Sequence, residues 1–477
     1  MLLVVCVLGA CAVPASGGQG VPAWISDTSS YSSASMPHAP GIADRYRDQA
    51  ATILAAARDD RGAYAKLAQL TDGIGNRISG SPQLDRAIAW AQKTMKDDGL
   101  DAHTEPVMVP HWVRGTEDAA LTAPIARPLH LIGLGGTVAT PKGGITAPVV
   151  VVHSWEELDQ HDVKGKLVLF DVAMPAWTEA KGSGYGETVQ YRGKGASRAA
   201  QAGAVGVLVR SVTAHSLRTP HTGALNYDPE QPKIPAAALT VEDSALVARL
   251  AAKGPVTMHL HLESQMLPDA PSANVIGELR GRDKPDEVVV LGAHIDSWDV
   301  GQGAHDDGAG CVTMMQALAV LKRLNLTPRR TIRVVLFTNE ENGLRGGKAY
   351  AQQHAGELAN TVLAVESDSG GFAPRGFSVE ANPDATKRVV ARVSEITSLL
   401  APLNATRVTT GHGGADIGPM VASGVPTMGL DTDGRTYFDI HHTEADTLDK
   451  VDPAALAADV AAVAVLAFIV ADMPDRL

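Results

Sequence analysis

The sequence is short of cysteine and of positive charge, and both shortages exclude classes of protein. Only three of its 477 residues are cysteines, and Cys6 and Cys11 both lie in the first apolar segment. The remaining one, Cys311, leaves no disulfide framework to form, and we expect it to be a small buried residue. The formal net charge of −12 argues against a nucleic-acid-binding protein and against adhesion to an anionic membrane surface.

Internal repeats and long uninterrupted apolar runs are missing as well. The apolar run at residues 2–13 is shorter than the ~20 residues of a bilayer span and is typical of a signal-peptide core, although no Lys or Arg precedes it. We therefore predict a signal peptide over residues 1–20, a disordered tether over residues 21–40, and export to the periplasm, cell envelope or medium. The Leu-Gly-Ala sequence before Cys11 resembles a bacterial lipobox, so a lipid anchor at Cys11 and a plain secretory signal are both kept.

Three apolar segments between residues 288 and 368 each end in acidic residues or a histidine. They read as buried strands over 288–293, 331–338 and 361–365, and an amphipathic helix is predicted over 310–326 between the first two. This alternation predicts an α/β fold with a mixed, largely parallel sheet between helices. Active sites in such sheets lie at the carboxyl ends of the strands. The residues found there are His294 and Asp296, then Glu340 and Glu341, then Glu366 and Asp368.

These residue types suit a metal site, because zinc is held by histidine nitrogen and carboxylate oxygen. His294 and Asp296 are two apart on an extended chain and point the same way, so Asp296 can orient the imidazole ring. Glu340 and Glu341 can serve one site only if the strand turns, and the Asn-Gly pair after them supplies a turn. One glutamate can then bind metal while the other accepts a proton from water.

Each motif has an ordinary structural explanation when it is taken alone. A His-x-Asp pair usually just ends a strand, a Glu-Glu pair is mostly solvated, and Asp306-Asp307-Gly308 is a common type of turn. Their recurrence at neighbouring strand ends, together with the later His441-His442 pair, favours a metal site. An aspartate of the acidic turn could bridge two ions, which lie ~3.5–4 Å apart in two-metal hydrolases.

The motif order resembles that of the co-catalytic zinc exopeptidases. The order is His-x-Asp, Asp-Asp-Gly, Glu-Glu, Glu-x-Asp and a late His-Thr-x-x-Asp-Thr, and the resemblance covers residues 43–473. It implies two Zn²⁺ per subunit, a homodimer, short peptide substrates with a free amino terminus, and a cis peptide between Asp306 and Asp307. The implied metal ligands are His294 and Asp368 on one ion, Glu341 and His442 on the other, and Asp306 between them. The implied catalytic residues are Glu340 as general base, Asp296 as the residue that orients His294, and His441 as a candidate oxyanion donor.

The middle of the chain resembles the protease-associated domain that is inserted in these exopeptidases. We predict a catalytic domain over residues 41–114 and 269–477, interrupted by a β-rich inserted domain over residues 115–268. His259 and His261 alternate with apolar residues and are expected on the polar face of a half-buried strand rather than at a metal. Residues 220–223 and Tyr227 are candidates for covering the active site.

Near the carboxyl end, Asp416 is expected to cap a short helix rather than to contact substrate. Residues 454–470 are apolar but contain Asp459, so a buried helix is predicted and no transmembrane span.

Two alternatives to a di-zinc exopeptidase remain. One is a non-catalytic receptor on a peptidase-like fold, although relatives of that kind lose metal ligands and here every ligand position is filled. The other is an enzyme that resembles the single-zinc glutaminyl cyclases. Metal stoichiometry separates the two enzymes, and turnover separates both from a receptor.

Overall fold

The computed structural model describes residues 41–215 and 217–477. The predicted signal peptide, tether and lipid-anchor candidate Cys11 lie outside these residues. The described strands, numbered in chain order, form two eight-stranded sheets. The first sheet contains β1 (Asp101–Val113), β10 (Gln265–Leu279), β11 (Lys284–His294), β12 (Arg330–Phe337), β13 (Thr361–Glu366), β14 (Pro374–Glu380), β15 (Arg407–Thr410) and β16 (Thr427–Thr432). The second contains β2 (Glu117–Ala123), β3 (Arg127–Leu129), β4 (Leu131–Gly133), β5 (Ile145–Val152), β6 (Leu167–Phe170), β7 (Gly206–Arg210), β8 (Ala236–Leu239) and β9 (Thr257–Leu262).

Helices cover both faces of the first sheet. Those of the catalytic part are α1 (Ile42–Arg58), α2 (Gly62–Thr71), α3 (Pro82–Asp97), α7 (Ala309–Arg323), α8 (Arg345–Gln353), α9 (Pro383–Thr397), α10 (Gly418–Val421), α11 (Tyr437–Ile440) and α12 (Pro453–Asp472). Those of the inserted part are α4 (Trp155–Gln160), α5 (Tyr185–Gln201) and α6 (Val241–Ala251).

The centre of the first sheet is parallel and its margins are antiparallel. The strand order is β1-β10-β12-β11-β13-β16-β14-β15, and β12, β11, β13 and β16 run parallel to one another. The central strands are near-continuous apolar runs because both of their faces are buried under helices. The register pairs His294 with Phe337 and Gly292 with Glu366, which brings the carboxyl ends of three strands to one edge. The predicted α/β class is confirmed.

After β1 the chain leaves the first sheet to form the inserted domain, and it returns to that sheet with β10. Strands of the second sheet run from Glu117 to Leu262, and β10 rejoins the first sheet at Gln265, just before the proposed boundary at residue 268. In β9 the burial alternates, and His259 and His261 lie on the more exposed face, where they contact Thr146 and Asp118. The prediction that these histidines lie on the polar face of a half-buried strand is confirmed.

Helix α5 of the inserted domain carries residues that line the site. It begins at Tyr185 and ends at Gln201. Its buried positions include Thr188, Arg192 and Ala199, which recur at helical spacing. The buried arginine and the polar residues around it hide this stripe from a hydrophobicity pattern.

The C-terminal helix α12 is the buried element that the sequence predicted. By length and composition it could cross a membrane, but 83% of its most apolar window is buried within the fold. It packs against α1 and α7. Asp459 lies inside it, and one of its carboxylate oxygens is buried without a hydrogen bond.

Candidate metal and active site

A cavity of about 570 Å³ lies at the carboxyl ends of β11, β12 and β13. Its size is in the range of small-molecule sites. One wall comes from the catalytic domain and carries the residues that the sequence singled out. These are Asp306, Glu340, Glu341, Asp368, His441 and His442, with His294 buried behind them.

The first group of converging side chains is built around His294. Its Nε2 lies 3.2 Å from Oδ1 of Asp306 and 3.4 Å from Oδ1 of Asp368. The three side chains each offer one atom, and these atoms lie within 4.8 Å of one another, close enough to hold one ion.

The second group is built around His442 and uses the other oxygen of the same aspartate. Nε2 of His442 lies 3.1 Å from Oδ2 of Asp306 and 3.1 Å from Oε2 of Glu341. The backbone of His442 is left-handed, with φ of 60°. Asp306 therefore directs one oxygen to each histidine.

His441 is adjacent and competes for the same place. Its Nε2 lies 3.6 Å from Oδ2 of Asp306, and its ring stacks on that of His442 with 3.5 Å between centroids. His442 is closer to Asp306 and also meets Glu341. Asp306, His441 and His442 each offer an atom within 4.8 Å of the others, so both histidines can reach one ion, and the shorter distances favour His442.

The donor atoms fit bound cations. Oδ2 of Asp306 and Oε1 of Glu341 are buried, and neither accepts a hydrogen bond of good geometry within the described chain. A buried carboxylate oxygen without a partner is costly, and metal coordination is one way to satisfy it. Imidazole nitrogen and carboxylate oxygen are the ligands of catalytic zinc.

Burial and neighbouring charges shift the pKa values of the carboxyl groups on this wall in opposite directions. Burial alone would raise the pKa of Asp306, but the nearby imidazole rings of His294 and His442 hold it well below the usual value. Burial, with Asp368 and Glu341 nearby, raises the pKa of Glu340 well above the usual value.

The two members of the second group shift in the same direction. Burial and then Asp306 raise the pKa of Glu341 to about 7. Burial would lower the pKa of His442, but Glu341 and Asp306 raise it to about 10.

Asp296 holds the site together through two different groups. Its carboxylate accepts hydrogen bonds from the backbone N–H groups of Glu340, at 3.0 Å, and Glu341, at 3.3 Å. Its carbonyl oxygen lies 3.1 Å from Nδ1 of His294, whereas the carboxylate is 3.8 Å from that nitrogen. The side chain thus fixes the turn that carries the two glutamates, and the main chain orients the imidazole.

The loop that carries Asp306 is held from two sides. The peptide between Asp306 and Asp307 is cis, as the resemblance implied. Asp446 accepts hydrogen bonds from the N–H groups of His305, at 2.8 Å, and Asp306, at 3.1 Å. Arg77, which the sequence did not single out, is fully buried and donates to the carbonyl oxygens of residues 295, 302 and 303. It lies in a segment whose local sequence predicts only a loop.

Two minor predictions were wrong. Asp416 caps no helix, since α10 begins at Gly418 and both carboxylate oxygens of Asp416 are buried without a hydrogen bond. Tyr227 covers no active site, because its hydroxyl donates to the carbonyl of Ile234 and its ring packs on the inserted domain's own core.

The opposite wall of the cavity was missed by the sequence reasoning. It comes from α5 and the segment after β7, and its members include Tyr185, Arg192, Lys194 and Asn226. Tyr437 of α11 also lines the cavity and lies one helical turn before His441. Its spacing of four residues from His441 is the one signal that could have identified it.

Comparisons with known proteins agree with this architecture. The family model for Peptidase family M28 matches residues 274–467, and that for the PA domain matches residues 144–246. Carboxypeptidase Q of Xenopus laevis is 40% identical over 439 residues, which cover 91% of this chain and 91% of that protein. Carboxypeptidase Q of Homo sapiens is 40% identical over 418 residues, 87% of this chain and 86% of that protein.

Solved structures give the same picture. A peptidase M28 precursor from Shewanella amazonensis superposes with a TM-score of 0.86 at 36% identity, covering 91% of this chain and 98% of that one. A zinc aminopeptidase from Bacillus subtilis superposes with a TM-score of 0.65 at 20% identity, covering 87% and 96%, which shows a shared fold.

Proposed function

The chain belongs to peptidase family M28 and is a metallopeptidase, and from this premise we propose that it is a di-zinc exopeptidase acting on short peptides with a free amino terminus. The observation that carries the proposal is the placement of Asp306, which directs one oxygen toward His294 and the other toward His442. A single-zinc enzyme would need only one of these two groups. Their shared carboxylate favours two ions.

The ligands of the two ions come from the two groups of side chains. His294 and Asp368 would hold one Zn²⁺, Glu341 and His442 would hold the other, and Asp306 would contribute an oxygen to each. When bound, zinc supplies a Lewis acid that lowers the pKa of water to about 7 and polarises a peptide carbonyl.

Glu340 acts as the general base. It lines the cavity beside the ligand Glu341, and its carboxylate removes a proton from the attacking water. The same carboxyl then returns that proton to the nitrogen of the leaving amine as the peptide bond breaks. In the metal-free chain, burial raises the pKa of Glu340 well above its usual value, which favours the form that holds the proton before it is returned.

The proposed hydrogen-bond donors to the developing oxyanion are two residues that line the cavity. Burial and the neighbouring His442 lower the pKa of His441, so its ring is neutral and carries one N–H. Burial, Asp306 and Asp368 raise the pKa of Tyr437, so its phenol keeps its proton. Both residues line the cavity, and Nε2 of His441 lies 3.6 Å from the carboxylate of Asp306.

The size and the far wall of the cavity favour short substrates. At about 570 Å³ it has room for a dipeptide or tripeptide rather than a folded chain. Lys194 lines that wall and forms no ion pair within the described residues, so it can meet the carboxylate of a short peptide. The apolar leader supports export with a signal over residues 1–20, with a lipid anchor at Cys11 as an alternative, and the family resemblance supports a homodimer.

A dipeptide panel on zinc-loaded protein tests the proposal. We expect two zinc ions per chain by elemental analysis, cleavage of free dipeptides, and no cleavage of the same dipeptides after N-acetylation. Cleavage of N-acetyl dipeptides together with resistance of dipeptide amides would instead indicate a carboxypeptidase. One zinc per chain with cyclisation of amino-terminal glutamine would replace the proposal by the cyclase alternative.

A further inference from the structure

A short segment of the inserted domain contacts the loop that carries His442. Thr222 donates its backbone N–H to the carbonyl oxygen of His442 at 3.0 Å. Its own carbonyl oxygen lies 3.3 Å from Nδ1 of His442. A carbonyl oxygen can only accept, so in the neutral, metal-binding form of the ring this contact places the proton on Nδ1 and leaves Nε2 for the cation.

The preceding residue holds the same loop one position earlier. Nδ1 of His221 lies 2.8 Å from the carbonyl oxygen of His441 and must donate to it. The backbone N–H of His221 donates to Oγ of Ser211, whose hydroxyl in turn donates to the carbonyl of Leu239 at the end of β8. His221 is 2% exposed, so this chain of bonds is closed to water and ties the His441–His442 loop to the inserted sheet.

Thr222 is itself fixed from two further sides. Nη1 of Arg192, on α5, donates to the Thr222 carbonyl at 3.3 Å, and Nη2 donates to the hydroxyl of Tyr185 at 2.7 Å. The Thr222 hydroxyl donates to the carbonyl of Gly133 at 2.8 Å. Nη1 of Arg192 also lies 3.5 Å from Nδ1 of His442, a contact that would compete only if that nitrogen lost its proton.

The other histidine of the site is oriented without the inserted domain. Nδ1 of His294 lies 3.1 Å from the carbonyl oxygen of Asp296, two residues along the same strand end. The two groups of ligands thus take their supporting contacts from different domains. A perturbation of the inserted domain should therefore reach one group and spare the other.

We propose that His221 and Thr222 of the inserted domain are positioning residues for the metal ligand His442, so that this domain controls retention of one of the two ions. This inference rests on the proposed di-zinc function. Supporting partners of a metal-binding histidine fix its tautomer and ring orientation, and their loss typically weakens metal binding about 10- to 100-fold. The inserted domain then does more than narrow the entrance to the cavity.

Two substitutions at His221 distinguish the effect of its hydrogen bond from the effect of its side-chain volume. His221→Leu keeps much of the volume and removes the donor, whereas His221→Asn places an amide N–H near the position of Nδ1. Zinc affinity is measured for each ion by competition with a chromogenic chelator. We expect His221→Leu to lower the affinity for one of the two zinc ions about 10- to 100-fold. The affinity for the other ion should stay within a few-fold of the wild-type value. His221→Asn should recover most of the loss.

Two further variants complete the test, one as a control and one as a substitute for His221→Leu. His261→Ala removes a histidine of the same domain that faces solvent on β9, and it should change neither zinc affinity. Arg192→Met removes the support behind the Thr222 carbonyl, and it replaces His221→Leu if that variant does not give a cooperative thermal transition. Unchanged affinity for both ions in His221→Leu or in folded Arg192→Met overturns the inference. Wild-type protein that binds fewer than two zinc ions would overturn the proposed function itself, which distinguishes the two failures.

Discussion

The two walls of the cavity differ in charge and in how they are held. The wall formed by the catalytic domain (the catalytic wall) contains buried carboxylates around His294 and His442. The wall formed by the inserted domain (the inserted wall) contains Tyr185, Arg192 and Lys194. Strand ends of the first sheet carry most of the catalytic wall, whereas the inserted wall belongs to the domain that also contacts the His441–His442 loop. We infer from this difference that the bond-breaking chemistry belongs to one wall, while the other supports a metal ligand and limits the substrate.

The largest effect is expected from the general base on the catalytic wall. Glu340→Gln should lower kcat by up to about 10⁴-fold, because the amide cannot accept the proton of the attacking water. Zinc content should stay at two ions per chain, since Glu340 is not among the proposed ligands. Steady-state kinetics on a dipeptide and elemental analysis provide the measurements.

The neighbouring glutamate is the matched control for this prediction. Glu341→Gln should lose zinc as well as activity, because Glu341 lies 3.1 Å from His442 in the second ligand group. If Glu340→Gln retained full activity, or if it lost zinc as Glu341→Gln does, the division of roles within this wall would be wrong.

A smaller loss is expected from the proposed oxyanion donor. His441→Phe keeps the ring that stacks on His442 but removes its N–H, and kcat should fall about 10²-fold with KM little changed. Tyr437→Phe, made in parallel, should cost less. A larger loss in Tyr437→Phe would transfer the role of main donor from His441 to Tyr437.

Zinc affinity should depend on pH through the catalytic wall. In the metal-free protein the pKa of His442 is about 10, so its ring is protonated at neutral pH. Zinc binds the neutral imidazole, so binding must release this proton, and apparent affinity should rise with pH by up to about tenfold per unit between pH 7 and 9.

Calorimetric zinc titration in two buffers with different ionisation enthalpies measures the released protons directly. Release of at least one proton per chain at about pH 7.5 is expected. Binding without proton release would show that His442 is not a ligand or that its ring is already neutral.

The smallest effect is expected on the inserted wall. Lys194→Met should raise KM for free dipeptides about two- to fivefold, since an exposed ion pair contributes little, and should leave kcat unchanged. The matched substrate is the corresponding dipeptide amide, whose KM should not change. An equal change for both substrates would remove Lys194 as the carboxylate contact.

The residues of the catalytic wall could be predicted from the sequence because local patterns mark them. Buried strands appear as apolar runs, and the parallel register brings the residues after each strand to one edge of the sheet. His294, Glu341 and Asp368 could therefore be grouped in advance. The start of α3 follows an equally local signal, because Ser81 caps the helix and Pro82 occupies its first position.

The inserted wall gave no such signal. His221 contacts a residue 220 positions away, and Arg192 contacts one 250 positions away, so no window of sequence contains both partners. The main partner of His442 is a backbone carbonyl, which any residue would supply. Arg77 was missed for the same reason, since its contacts are carbonyl oxygens of a distant loop.

The shared carboxylate of Asp306 is best examined by anomalous diffraction at the zinc edge, from crystals of the zinc-loaded protein. We expect two peaks on either side of Asp306, one bound by His294 and Asp368 and the other by Glu341 and His442. A single peak, or a second ion bound by His441 in place of His442, would contradict the proposed metal centre.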